Sequence, residues 1–94
     1  MATLVENPFY GVLHVRDFMI KTHRVKNLTD AMADAARILR SRECRHLWDE
    51  EVRVEFLFVT LFNGEDVCRE VTWRDEDITL ALSRHGKSSD NVLA

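Results

Sequence analysis

The sequence predicts an α+β fold: an antiparallel β-sheet with two helices packed on one face, in the order β(β)-α-β-β-α. Three observations predict it. Residues 52–62 alternate strictly, Val52, Val54, Phe56, Phe58, Thr60 and Phe62 on one face and Arg53, Glu55, Leu57, Val59 and Leu61 on the other, which is the period of a strand. Asn63-Gly64 follows at once, and this dipeptide accepts the positive φ angles of a tight hairpin turn. Two further stretches, opening near Asn27 and near Asp75, carry apolar residues three and four apart, the spacing of an amphipathic helix.

Residues 1–8 read as a loose leader ending at Pro8, which removes a backbone donor and biases Asn7 towards an extended form. From Phe9 the pattern alternates again, with Phe9, Gly11, Leu13 and Val15 opposed to Tyr10, Val12, His14 and Arg16. Phe18 to Val25 is also β-like. Arg16-Asp17 lies between as a weak turn, so a hairpin and one long bulged strand both fit. Asn27 or Thr29 then caps a helix by accepting from free N–H groups. Asp30 and Asp34 fall near its positive end and Arg37, Arg40, Arg42 and Arg45 near its negative end, which matches the helix dipole. Leu28, Met32, Ala35, Ile38 and Leu39 form its stripe, and it ends between Arg45 and Trp48. Asp49-Glu50-Glu51 is a solvated connection.

Val67 to Trp73 returns as the hairpin partner. A two-residue loop would pair Phe58 with Arg69 and Phe56 with Val71. A four-residue loop would pair Phe58 with Val71 and Phe56 with Trp73. Both place Val67, Val71 and Trp73 on the Phe56/Phe58 face, where aromatic cross-strand pairing stabilises the ladder. Asp75 caps the second helix, whose stripe is Ile78, Ala81 and Leu82 and whose end is set by Gly86. Residues 87–94 read as a loose tail; as a last strand they would give a ferredoxin-like variant.

The 94 residues match one domain, 1–94, with a single core. A net charge of −3 from 13 basic and 16 acidic residues favours solubility but points to neither a phosphate-reading protein nor a strongly acidic mimic of nucleic acid. Cys44 and Cys68 form no Cys-x-x-Cys and no zinc spacing, and are expected as free, core-type thiols. No secretory signal and no membrane-length apolar run is seen, so a cytoplasmic protein is expected.

The three glycines are isolated, and no phosphate loop, nucleophile elbow or paired metal motif occurs. The expectation is a non-enzyme with no cofactor and no metal. His46 and His85 sit at predicted helix ends, and His14 and His23 on strands, all with structural roles; a Cys68–His14 nucleophile pair is a remote alternative. Besides the acidic pair Glu65-Asp66, the polar features that stand out are an arginine set, Arg37, Arg40, Arg42 and Arg45, and two acidic clusters, Asp49, Glu50, Glu51 and Asp75, Glu76, Asp77. The hairpin brings the two clusters to one end of the sheet. These ten residues are the candidate contacts for a partner.

The function expected is therefore a small protein–protein interaction or regulatory protein, in style like the inhibitors and adaptors of phages and mobile elements, acting through a charged face or a sheet edge. A homodimer is one form of it, because Leu57, Val59 and Leu61 need a cover that helices on the other face cannot supply. The alternatives are a nucleic-acid-binding module using the arginine helix end, and a small-ligand domain or enzyme without a recognisable motif.

Overall fold

The computed structural model describes residues 6–62 and 64–83. Its elements are β1 (Phe9–Val15), β2 (Phe18–Lys21), α1 (Leu28–Arg40), α2 (Arg42–Arg45), β3 (Glu51–Thr60) and β4 (Gly64–Arg74). A third helix, α3, covers 75–83. The strands form one antiparallel sheet in the order β2-β1-β3-β4. The α+β class and the element order are those the sequence predicts. The first β segment is a hairpin: Val15 pairs with Phe18, leaving Arg16-Asp17 as the turn, with Arg16 at φ 53°. The ferredoxin-like variant and the Gly86 helix stop lie outside the described residues.

Thr22 ends β2. Its N–H donates to the Gly11 carbonyl at 2.9 Å, but Gly11 N–H donates to the Thr22 hydroxyl at 2.7 Å. A side chain has replaced a backbone acceptor, so the ladder stops. The chain rejoins β1 only at Val25, which exchanges two backbone hydrogen bonds with Phe9.

Gly11 pairs with Phe56, Leu13 with Val54 and Phe9 with Phe58 across β1 and β3. Val54 pairs with Val71 and Val52 with Trp73 across β3 and β4. These residues share the face that meets the helices. One buried cluster joins Leu13, Val15, Val52, Val54, Phe56 and Trp73 to Ala31, Ala35, Ala36 and Leu39 of α1, Cys44 of α2, Trp48 and Ile78 of α3. All three helices therefore cover the same side. The alanines on the buried face of α1 let its backbone approach the sheet closely. Asn27 caps α1, its Oδ1 accepting from Asp30 N–H at 2.8 Å, where the free N–H groups of a first turn need acceptors.

Two expectations are corrected. The first helix does not run on to Arg45. It stops at Arg40, and Ser41 takes extended angles (φ −66°, ψ 158°) before α2 begins. The Ser41 N–H and hydroxyl both donate to the Ile38 carbonyl, which competes with continuing the helix. The hairpin register is the other. Neither predicted pairing occurs: Phe56 opposes Arg69, and Thr60 opposes Gly64. Between Phe56 and Leu57 the register shifts by one, leaving Cys68 as the extra residue of β4. This β-bulge turns Val67 to the Leu57 face instead of the Phe56 face.

Gly64 takes φ +76°, as the Asn-Gly turn signal predicts. A Cβ at Gly11 would lie 3.1 Å from Phe56 Cε1 and 3.4 Å from Thr22 Cγ2, whereas at Gly64 it would meet nothing within 4 Å. Gly11→Ala should destabilise by about 1–3 kcal/mol through overpacking. Gly64→Ala should cost about 1–2 kcal/mol through backbone strain alone. Urea unfolding of the two variants checks both, and adding Phe56→Leu should reduce the Gly11→Ala penalty while leaving the Gly64→Ala penalty unchanged.

Candidate functional site

The predicted arginine set is divided between two helices. Arg37 and Arg40 lie on α1, and Arg42 and Arg45 lie beyond the Ser41 break. Arg37 reaches Asp34 at 3.4 Å. Arg40 spans to α3: one Nη2 contacts the Asp75 carboxylate at 2.9 Å, the Asp75 carbonyl at 3.0 Å and the Thr79 hydroxyl at 2.9 Å. Arg45 lies over the Trp48 ring, 4.3 Å from its centroid, a cation–π contact. Arg42 is exposed.

The acidic clusters are brought to one end of the sheet, as predicted, because Glu51 opposes Arg74. They are not a bare anionic patch. Glu51 contacts Arg74 at 3.8 Å, and Asp75 holds Arg40. Asp77 accepts from the Arg74 N–H at 2.9 Å, the reciprocal half of a capping box. Asp49, Glu50 and Glu76 remain exposed. Asp49, Glu50 and Glu51 line an open groove of about 450 Å³ with His14, Arg16 and Trp48. Arg16 crosses it to donate to the carbonyls of Leu47 (3.1 Å) and His46 (3.3 Å). Among these candidates Arg40 and Asp75 interlock α1 with α3 and Glu51 pairs within the sheet, while Arg42, Asp49, Glu50 and Glu76 are exposed.

The face away from the helices carries a polar ladder. His14 Nε2 lies 2.5 Å from Glu55, and Arg53 contacts Glu55, Glu70 and, at 3.5 Å, His14 Nδ1. β3 lies between His14 and β4, so the Cys68–His14 pair is not formed. No group of three or more metal-ligating side chains occurs among the described residues. Further along the same face Tyr10 is almost fully buried, its hydroxyl donating to Glu65 at 2.6 Å, with Lys21 Nζ 5.9 Å above its ring. Burial, then the hydrogen bond and charge of Glu65, push the Tyr10 phenol up to about 12, against a smaller opposing effect of Arg24.

Sequence reasoning missed the most exposed apolar group. Phe62 continues the core alternation on paper, but β3 stops at Thr60 and Phe62 enters the turn, 89% exposed, beside Leu61 at 53%. Val67, turned outward by the bulge, is 53% exposed. Leu57 and Val59 on the same face as Val67 are half-buried. The ladder closes at Thr60 and Gly64, so Phe62 falls in the connection, whereas a two-residue Asn-Gly loop would have kept it in the ladder opposite Glu65. A lesser apolar pair, Phe18 (58%) and Met19 (70%), lies on the four-residue edge strand β2. Cys44 is buried as predicted, and burial raises its thiol above the usual value. Cys68 is also free but exposed, a correction: it lies on the edge strand β4, whose residues from Gly64 to Glu70 are all exposed.

No protein-family model, curated protein or solved structure matches the chain. No helix of the described residues is long and apolar enough to cross a membrane.

Two outcomes are expected. Iodoacetamide should label Cys68 in the native protein and Cys44 only after unfolding, read by peptide mass mapping. Tyr10 is the sole tyrosine, so ultraviolet titration reads it alone. Its folded pKa stands above its unfolded value of 10.0; the stability it contributes is complete below pH 10 and is lost as pH rises towards 12. Tyr10→Phe should remove that alkaline component of the unfolding curve.

Proposed function

We propose that this chain is a non-enzymatic protein-interaction domain that engages its partner through the distal end of the β3–β4 hairpin. The observation that carries the reading is Phe62, 89% exposed next to Leu61, at the tip of a hairpin whose base is locked into the core by Val52, Val54 and Trp73. A large aromatic held in water on a rigid support has the character of an interface anchor. Isolated exposed apolar residues are ordinary, but a cluster is not, and Val67, Leu57 and Val59 extend this one along the outer face.

The charged residues first considered as contacts support this placement by their other commitments. Arg40, Asp75 and Asp77 fasten α3, and Arg45 packs on Trp48. The arginine helix end therefore offers a nucleic acid little continuous basic surface. The hairpin tip acts by occupying a partner, in the manner of a regulator, adaptor or inhibitor. Two free thiols fit work in a reducing compartment such as the cytoplasm.

A photo-crosslinking phenylalanine analogue at position 62 should give a discrete protein adduct in extract of the source cells. The same analogue at exposed Glu43 should not. Leu61→Asp with Val67→Asp should abolish the adduct while leaving the circular dichroism unchanged. Equal crosslinking from positions 62 and 43, or none from 62, would overturn the reading.

A further inference from the structure

We propose that the partner received by the hairpin tip is a second copy of this chain, and that its receiving site is the groove between α1, α3 and β4. The inference rests on the tip being a contact surface and adds what the tip contacts. Leu28, Thr29 and Met32 of α1, Ala81 of α3 and Arg69 of β4 line this groove, which encloses about 280 Å³. Its walls are mainly apolar, and at its edge stands one uncommitted cation. Among the described residues the Arg69 side chain makes one hydrogen bond, to Met32 Sδ at 4.0 Å, and no ion pair. The other arginines that reach across the fold are engaged: Arg37, Arg40, Arg53 and Arg74 hold carboxylates, and Arg16 and Arg24 hold backbone carbonyls.

The tip presents the complementary set. Phe62 and Leu61 are apolar and exposed. Asp66, four residues beyond Phe62, is exposed, and its side chain has no hydrogen bond or ion pair among the described residues. No lysine or arginine occurs anywhere from Val54 to Cys68, so this end of the hairpin is apolar and acidic. Asp66 opposes Phe58 and Arg69 opposes Phe56, so both lie on the helix side of β4. A phenyl ring entering the Leu28/Met32/Ala81 groove brings an aspartate of one copy to the unpaired guanidinium of the next. A carboxylate and a guanidinium partly withdrawn from water form a strong charge-assisted pair.

Tip and groove are different patches, so the contact is heterologous. Each copy keeps a free tip or a free groove, and association continues into a ring or an open chain. The contact is small and is expected to be weak, with a dissociation constant on the order of tens of micromolar or above.

Sedimentation velocity of the purified full chain over a wide concentration range tests this. The average mass should rise with concentration and the rise should weaken in high salt. Phe62→Asp and Arg69→Glu should each weaken association about tenfold or more. An equimolar mixture of the two variants should stop at a two-chain species, because one supplies an intact groove and the other an intact tip. Asp66→Arg combined with Arg69→Asp should restore association. Circular dichroism verifies the fold of each variant, and Arg69→Gln serves if Arg69→Glu does not fold. A wild-type chain that stays monomeric up to about 1 mM, or an Arg69 variant that associates like wild type, overturns the proposal. Crosslinking from position 62 to a different protein in extract would then keep the tip as a contact surface and reject the second copy as its occupant.

Discussion

The packing of the Phe56 ring over Gly11 is the constraint around which this fold is arranged. Phe56 is completely buried, and its ring fills the space that a β1 side chain would take at Gly11. That contact fixes the β1–β3 register, because a slip of one residue would put a Cβ against the ring and turn every β1 side chain to the other face. It also places the Phe56 ring 5.8 Å from Trp73, in the tilted geometry that aromatic pairs favour. Truncating such a residue to alanine typically costs about 3–5 kcal/mol, a large part of the net stability of a small domain. The alanine face of α1 and Ile78 of α3 close over the surface this cluster creates.

The two faces of the sheet answer different needs. The helix side is apolar and continuous. The outer side is divided, with the His14–Glu55–Arg53–Glu70 ladder near its middle and the apolar group of Leu57, Val59 and Val67 towards the hairpin tip. The charged ladder keeps the central strands in water without an unpaired charge. β4, the longer edge strand, carries charged residues and a bulge, both of which discourage edge-to-edge pairing with other chains. On this edge the accessible apolar surface is thereby confined to the tip, while the opposite edge, β2, exposes Phe18 and Met19.

Much of the fold was legible because binary pattern and turn chemistry agree. The alternation of residues 52–60, the Asn27 cap, the acidic start of α3 and the positive φ of Gly64 all follow from local sequence. What was not legible depends on competition between local choices and distant contacts. Ser41 breaks the helix by bonding back to Ile38, and nothing in the apolar spacing marks it. Thr22 ends β2 with a hydroxyl that only the position of Gly11 makes useful. The candidate site fared less well for the same reason. Arg40, Asp75 and Asp77 are conspicuous as charges, yet their roles are set by which helix ends the fold brings together. Phe62 was concealed by a pattern that continued past the physical end of the strand.

The extra residue at Cys68 divides the hairpin into two halves with separate inside–outside assignments. From Arg69 to Arg74, β4 follows the pleat that the core demands; from Gly64 to Val67 it follows the opposite parity. The chain can thus commit one half to folding and leave the other to natural selection for contacts. A one-residue insertion in β3 opposite Cys68 would leave the composition nearly intact while turning Leu57 and Val67 inward and Phe58 and Asp66 outward. For a lineage of such proteins, gain of a single codon there would be a route to a different exposed surface on an unchanged scaffold.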